Sequence, residues 1–417
     1  MRLAFVGNFG FGYKATMAAR ALPIAHELVA MGHEVTIYVP ADGPPPTVAS
    51  PAATMTTDHA DCWTLDGVSV RSFGSSLARP DSRALVDVAR HVGIGLRIAV
   101  AALADQPDVL YCFKPIGYAG LALASGWLRR QLGRRPLVLA LDADDWEGIG
   151  GWADRDGSSG LLGRLITAQE EWTIRHADLV TVASRELASR CVSRRVDPLY
   201  VPNAASPSSP GWSPGNPAEL RRRLGLSDEP IVLAYSRFVE FEPERLLTTF
   251  QSVVQAVPAA HLIVAGQGLA GEEKAFARLA RERGLGDHVH VLGWIPLADL
   301  PDVFAAADLA LYLLDDTRLN RAKCPMKLVD LLLAGVPVVA DRVGQAGEYV
   351  IDGQTGTLVS PGDVAAMVAA AVALLQDREG RQRLGRSARA DIFDRWRWSN
   401  QASLIAAALQ ARRPAAR

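Results

Sequence analysis

"NRAKCPMKLVDLLLAGVPVVA", residues 320–340, is the stretch whose reading decides the fold. Leu328, Leu331 and Leu332 recur at three- and four-residue spacing, so the middle of the stretch is a helix with an apolar face. Pro325 suits the first helical position, where its missing N–H is no loss. Gly335 can end the helix in the left-handed conformation, and Pro337 prevents its resumption. The run Val336–Ala340 then reads as a short buried strand. A strand candidate at Leu309–Leu314 stands ahead of the helix, so the unit is strand, helix, strand, the repeat of a parallel sheet. Lys323, Lys327 and Asp330 cluster at the helix start. Lysines there oppose the helix dipole by about 0.3–1 kcal/mol each. They either meet water or hold a charged, hydroxyl-rich ligand.

The same alternation runs outward in both directions. Upstream, strand candidates lie at Ile231–Tyr235, His261–Ala265 and Val289–Leu292, and downstream at Thr357–Val359. The segment "PNAASPSSPGWSPGNP", 202–217, is rich in Pro, Ser, Gly and Asn and reads as a linker or surface loop. Before it a second alternating set appears: Leu3–Val6, Val35–Val39, Val68–Phe73, Val109–Phe113, Leu137–Leu141, Leu179–Ala183 and Tyr200–Val201, with helices at Thr16–Met31 and Tyr118–Gln131. The fold class is α/β, with two doubly wound Rossmann-like domains in tandem, 1–203 and 204–391, facing across a cleft. The tail 392–417 is helical and aromatic and is expected to pack back on the first domain. Open α/β sheets bind ligands at the carboxyl ends of their strands.

Bulk composition sets limits on partners. Lys plus Arg is 44 and Asp plus Glu is 45, a net charge of -1, which offers no global attraction to nucleic acid or anionic membrane. The four cysteines are far apart with no CxxC, so zinc spacing is absent and reduced thiols in a cytoplasmic protein are expected. The N-terminus enters a strand directly, without a signal-peptide pattern, and no run of about 18 apolar residues occurs.

Charged and glycine-rich segments fall at strand ends. "GNFGFGYK", 7–14, brings Gly7, Gly10, Gly12 and Lys14 to a strand-to-helix turn, either an anion loop or a plain tight turn. Its spacing is not GxGxxG and no P-loop occurs, which disfavours dehydrogenases and P-loop ATPases. "LVLALDADDWEGIGGW", 137–152, crowds Asp142, Asp144, Asp145 and Glu147 after a buried strand, beside Trp146 and Trp152. Such carboxylates cap the next element, bind a divalent cation, or accept hydrogen bonds from a polyol whose face stacks on tryptophan. Arg237 stands just past the strand candidate Ile231–Tyr235, where a guanidinium can hold phosphate bidentately. The turns at Gly266 and Trp294 follow further strands of the same sheet and can offer backbone groups to a nucleobase.

"CPMKLVDLLLAGVPVVADRVGQAGEYVIDGQTGTLVSPGD", 324–363, resembles the C-terminal run of retaining glycosyltransferases of the two-Rossmann GT-B architecture, family 4 or group 1. "ELVAMGHEVTIYVP", 27–40, is similar to that family's first helix and second strand, and "LGWIPLADLPDVFAAADLALY", 292–312, to the segment before its donor site. The resemblance implies that Asp330 takes the place of the ribose-binding glutamate that ends an E-x7-E motif. The motif's first glutamate falls on Ala322, so the motif is degenerate. Arg237 matches the family arginine on the donor diphosphate. The partner lysine falls at Pro243, and Lys323 or Lys327 can supply the second charge. The first-domain position where many members carry histidine is Asp142, followed by the DDWEG block, which marks a distinct subgroup.

The resemblance therefore implies transfer of a sugar from a nucleoside diphosphate donor to an acceptor, with retained anomeric configuration. A nonhydrolysing sugar-nucleotide epimerase and a noncatalytic sugar-nucleotide-binding protein are the alternatives. Donor-binding candidates are Gly10, Gly12, Lys14, Arg237, Gly266, Trp294, Lys323, Lys327 and Asp330. Acceptor-side candidates are Asp142, Asp144, Asp145, Trp146 and Glu147. Catalytic candidates are Asp144, Asp145, Arg237 and Lys327. No metal and no cofactor beyond the nucleotide-sugar co-substrate is expected, because arginine and lysine supply positive charge for the diphosphate. The acceptor is a small molecule, a glycan or a lipid-linked group, and nucleic acid is not a partner. A cytoplasmic location follows, with peripheral contact at the inner face of the membrane as an alternative.

Overall fold

A computed structural model describes residues 1–11, 16–41, 55–59, 62–74, 84–133, 136–155, 157–158 and 160–413. The chain forms two units. The first holds Met1–Asn203, Ala322–Cys324 and Trp398–Arg417, and the second holds Ala204–Arg321 and Pro325–Arg397.

The first unit is built on β1 (Arg2–Gly7), β2 (Glu34–Pro40), β3 (Met55–His59), β4 (Cys62–Leu65), β5 (Val68–Phe73), β6 (Val109–Phe113), β7 (Val138–Ala143), β8 (Leu179–Val182) and β9 (Leu199–Tyr200). They pair in the order β3-β4-β5-β2-β1-β6-β7-β8-β9. The seven strands from β5 to β9 in that order are parallel. β3 and β4 add an antiparallel hairpin at one edge, which the sequence reading omits. β6 and β7 are buried at every position, because helices cover both faces of a parallel sheet. The helix Trp398–Ala411 packs on the helix Leu22–Ala30, and Arg412 Nε donates to the Asp178 carbonyl at 2.7 Å. That return begins at Trp398 rather than at residue 392, since the preceding helix Arg378–Arg395 belongs to the second unit.

The second unit carries β10 (Ile231–Tyr235), β11 (His261–Ala265), β12 (Val289–Gly293), β13 (Leu309–Tyr312), β14 (Val338–Asp341) and β15 (Thr357–Val359), all parallel, in the order β12-β11-β10-β13-β14-β15. The segment 202–217 is not a free linker. Ala204, Ala205 and Ser206 are buried, and a Cβ on Gly211 would lie 2.2 Å from the Asp330 carbonyl oxygen. Arg389 fixes the same segment by donating to the Gly211, Trp212 and Leu333 carbonyls.

The opening stretch folds as the helix Met326–Leu333, with Pro325 at the cap rather than inside it. Leu328 to Leu333 are all buried, Asp330 included. Gly335 has φ +76°, and its N–H and that of Val336 donate back to Leu332 and Leu331. Those paired bonds satisfy carbonyls that a helix end otherwise leaves open.

Candidate active site

In the first unit the chain leaves β6 through Lys114, whose φ of +75° is rare for a residue with a side chain. The turn buries the ammonium among the carboxylates that follow β7. Lys114 Nζ lies 3.0 Å from Asp144 Oδ1, 3.0 Å from Asp145 Oδ2 and 2.5 Å from Glu147 Oε1. Burial alone would lower the lysine pKa, but the three acids together hold it well above the ordinary value. Glu147 moves the other way. Burial, with Asp145 and Asp144 adding to it against Lys114, pushes it up to about 7. One positive charge cannot balance three negative ones in a dry site, so Glu147 is the member that gains a proton near neutrality. Thr16 Oγ1 donates to Asp144 Oδ2 at 3.0 Å.

A second buried pair shapes the loop. Glu170 accepts from the Glu147 and Gly148 N–H groups at 3.2 and 3.0 Å. Arg190 grips the same carboxylate at 2.5 and 2.6 Å, and its guanidinium lies over the Trp146 ring at 4.0 Å. A Cβ at position 148 would meet Thr167 Oγ1 at 2.6 Å and Glu170 Oε2 at 2.8 Å, so the last residue of DDWEG has to be glycine.

Asp142 leaves this set. It lies inside β7 with 0% exposure, and Arg20 binds both its oxygens at 2.6 and 2.7 Å. Thr181 Oγ1 adds a bond at 2.6 Å. Arg20 sits in a π-type turn, Met17–Ala21, and also donates to Asn203 Oδ1 at 3.1 Å. The acceptor-side assignment of Asp142 is therefore corrected: the carboxylate is consumed inside the core. Gly10 is buried beyond the end of β1, and Gly12 and Lys14 lie outside the described residues.

In the second unit Arg237 follows β10 and is half-buried, with no hydrogen-bond or ion-pair partner among the described residues. Its turn is rigid. Ser236 Oγ accepts from the Phe238 N–H at 2.9 Å, and Phe238 has φ +59°. Gly266 has φ +126°, and a Cβ there would lie 1.8 Å from the Ser236 carbonyl oxygen, so β10 and β11 end backbone against backbone.

Asp330 is 5% exposed, and its Oδ1 has no hydrogen-bond partner. Burial pushes its pKa up to about 7, with Lys327 opposing. Asp330 in turn adds to the burial that raises the Tyr235 phenol. The Lys327 ammonium stands 5.4 Å from the Tyr235 ring centre. Lys327, Asp330 and the last residue of β10 thus form one cluster. Lys323 does not join it as a residue of the second unit. It groups with the first unit, 5.3 Å from the Trp152 ring centre. Trp294 is 69% exposed just after β12. Ala322 is fully buried in the core of the first unit.

Among the described residues, Asp144, Asp145 and Glu147 are the three acids whose oxygens come within 4.8 Å of one another, as a metal would need. The Lys114 ammonium already stands among them. Sequence reasoning missed Lys114, Arg20, Glu170 and Arg190. Lys114 had a usable signal, since it directly follows the strand β6.

Residues 217–391 match the family model described as "Glycosyl transferases group 1", and residues 15–204 match "Glycosyl transferase 4-like domain". The chain belongs to the group 1 glycosyltransferases. A GDP-mannose-dependent alpha-(1-6)-phosphatidylinositol monomannoside mannosyltransferase of Mycolicibacterium smegmatis is 32% identical over 251 residues, 57% of this chain and 64% of that protein. The matched stretch thus spans less than two thirds of that relative's length. Among solved structures, the catalytic domain of starch synthase IV from Arabidopsis thaliana superposes with TM-score 0.74 at 15% identity, over 98% of both chains. Sucrose-phosphate synthase from Thermosynechococcus elongatus gives 0.70 at 18% identity, over 99% of this chain and 98% of that one. These likenesses establish the GT-B fold of this group 1 chain. No helix among its described residues is long and apolar enough to cross a membrane.

Proposed function

We propose that the chain transfers a sugar from a nucleoside diphosphate sugar to an acceptor, with retention of anomeric configuration. The observation that carries this reading is Asp330: a buried carboxylate with an unpartnered oxygen, beside Lys327, in the family's donor-domain segment. Buried polar atoms in folded proteins nearly always have a partner, and this orphan leaves a place for water or a ligand hydroxyl. A ribose diol would supply the missing donor hydrogen. Lys327 and the uncommitted Arg237 offer positive charge to a diphosphate, which stabilises the leaving group as the glycosidic bond breaks. The Lys114-bound acids Asp144, Asp145 and Glu147 serve acceptor hydroxyls. Attack on the donor face that the diphosphate leaves, through an oxocarbenium-like state, accounts for retention without a protein nucleophile.

GDP-mannose is the first donor to try, because the relative from Mycolicibacterium smegmatis is described as GDP-mannose-dependent. A thermal-shift panel of GDP-, UDP-, ADP- and dTDP-sugars tests donor binding, since a ligand of the native state alone raises the melting temperature. One donor should stand out, and Asp330→Ala should abolish its shift. Equal behaviour of parent and variant with every donor would remove the reading's main support. Proton NMR of the product then reports the anomeric configuration.

A further inference from the structure

Three histidines meet on one face of the second sheet, at the amino ends of its outer strands. His261 opens β11. His288 and His290 flank Val289, the first residue of β12. The parallel register pairs Leu262 with Val289 and Ile263 with His290, which sets His261 opposite His288. Strand side chains alternate, so His288 and His290 share the face that His261 also uses. The rings confirm the placement: His261 lies 5.2 Å from His288 and 5.2 Å from His290, centre to centre. All three are half-buried. Gly266 and Trp294 stand at the other ends of these two strands, so the cluster is separate from the donor residues.

One pair of ring nitrogens lies at hydrogen-bond distance, close enough to share an ion in place of a proton. His261 Nδ1 faces His290 Nε2 at 3.1 Å. Bonds of about 2.1 Å to a shared ion would subtend that separation at about 95°, within reach of tetrahedral or octahedral coordination. His288 Nδ1 lies 3.0 Å from the Ala260 carbonyl oxygen, which can only accept. Nδ1 therefore carries the proton and Nε2 keeps its lone pair. Metal-binding histidines are commonly held by such a bond to a backbone carbonyl.

We infer that His261 and His290 form a preset two-histidine chelate for a borderline divalent transition ion such as zinc, with the remaining positions taken by water and His288 packed beside the pair. The site is independent of sugar transfer.

The test is calorimetric titration of zinc into the full, EDTA-stripped protein at neutral pH, with calcium as a parallel titrant. One equivalent of zinc should bind, and the histidine variants should ignore calcium as the parent does. His261→Gln and His290→Gln should each weaken zinc by at least about tenfold, the scale on which even outer partners of a metal site matter. His288→Gln should weaken it less. Cobalt in place of zinc gives a visible spectrum that reports nitrogen ligation. If His261→Gln fails to fold, His290→Gln alone decides the matter. Absent zinc binding, or binding unchanged in His290→Gln, would overturn the inference.

Discussion

Replacing Lys114 with methionine removes the one cation from a buried group of three acids. Lys114 is 4% exposed, and Glu147 and Asp144 are 6% and 11% exposed, so water cannot simply take its place. Removing one partner of a buried ion pair costs about 3–5 kcal/mol. The lower end applies here, because Glu147, already pushed up to about 7, can take a proton and relieve part of the repulsion. At about 2–4 °C per kcal/mol for a domain of this size, the first transition in scanning calorimetry should fall by about 6–12 °C at pH 8. The fall should be smaller at pH 5.5, where Glu147 is protonated. The same substitution clears the position among oxygens that lie within 4.8 Å of one another. The variant, unlike the parent, should therefore be stabilised by calcium or magnesium, by about 2.7 kcal/mol at a hundredfold excess over the dissociation constant. A variant that melts within about 2 °C of the parent at both pH values, and ignores divalent ions, would show that the ammonium is not the counter-ion of this block.

Other outcomes follow from the same geometry. Arg20→Met should destabilise by about 3–5 kcal/mol in denaturant titrations, and Arg20→Met with Asp142→Leu by clearly less than the sum of the single changes. Gly335→Ala should cost about 1–2 kcal/mol, because its φ of +76° puts an alanine Cβ against the carbonyl that follows. Asp330 has a raised folded pKa, so its contribution to stability is complete below the usual aspartate value and is lost as pH rises through about 7. Asp330→Asn should flatten that part of the pH–stability curve, and an unchanged slope would refute the assignment. Lys327→Ala should weaken a nucleoside diphosphate by about 10- to 150-fold in calorimetry, the equivalent of a charged hydrogen bond of about 1.5–3 kcal/mol, while sparing the bare nucleoside.

Most of the sheet architecture was readable because parallel strands buried on both faces are short apolar runs, and those runs are local. β10 and β11 fall on the residues their apolar runs mark, and β5, VSVRSF, on an alternating run. The edge hairpin β3–β4 escaped for the converse reason. "MTTDH" and "CWTL" are short and half polar, and antiparallel pairing, β3 on β4 and β4 on β5, decides their structure. The segment 202–217 has the composition of a linker, yet its glycines are there for close packing. Gly211 touches the backbone of Asp330, and a Cβ on Gly215 would lie 1.9 Å from the Pro301 carbonyl oxygen. Composition does not distinguish glycine used for freedom from glycine used for proximity.

The acidic block shows where local reading stops for the site. The apolar run ends at Leu141, so Asp142 looked like the first residue past the strand. Backbone pairing continues, with Asp142 opposite Phe113 on one side and Thr181 on the other. A carboxylate at that register is inside the core and can stay there only with a cation. Its partner, Arg20, is 122 residues away in sequence. No spacing rule links the two. Asp144, Asp145 and Glu147 lie past the true strand end, yet their counter-ion, Lys114, comes from the end of the neighbouring strand. Adjacent parallel strands bring their carboxyl ends together whatever the chain between them. The charged residue that directly follows one strand is therefore the natural partner for acids that follow the next. Applied to β6 and β7, that rule selects Lys114 for the DDWEG block and leaves Asp142 to a deeper partner.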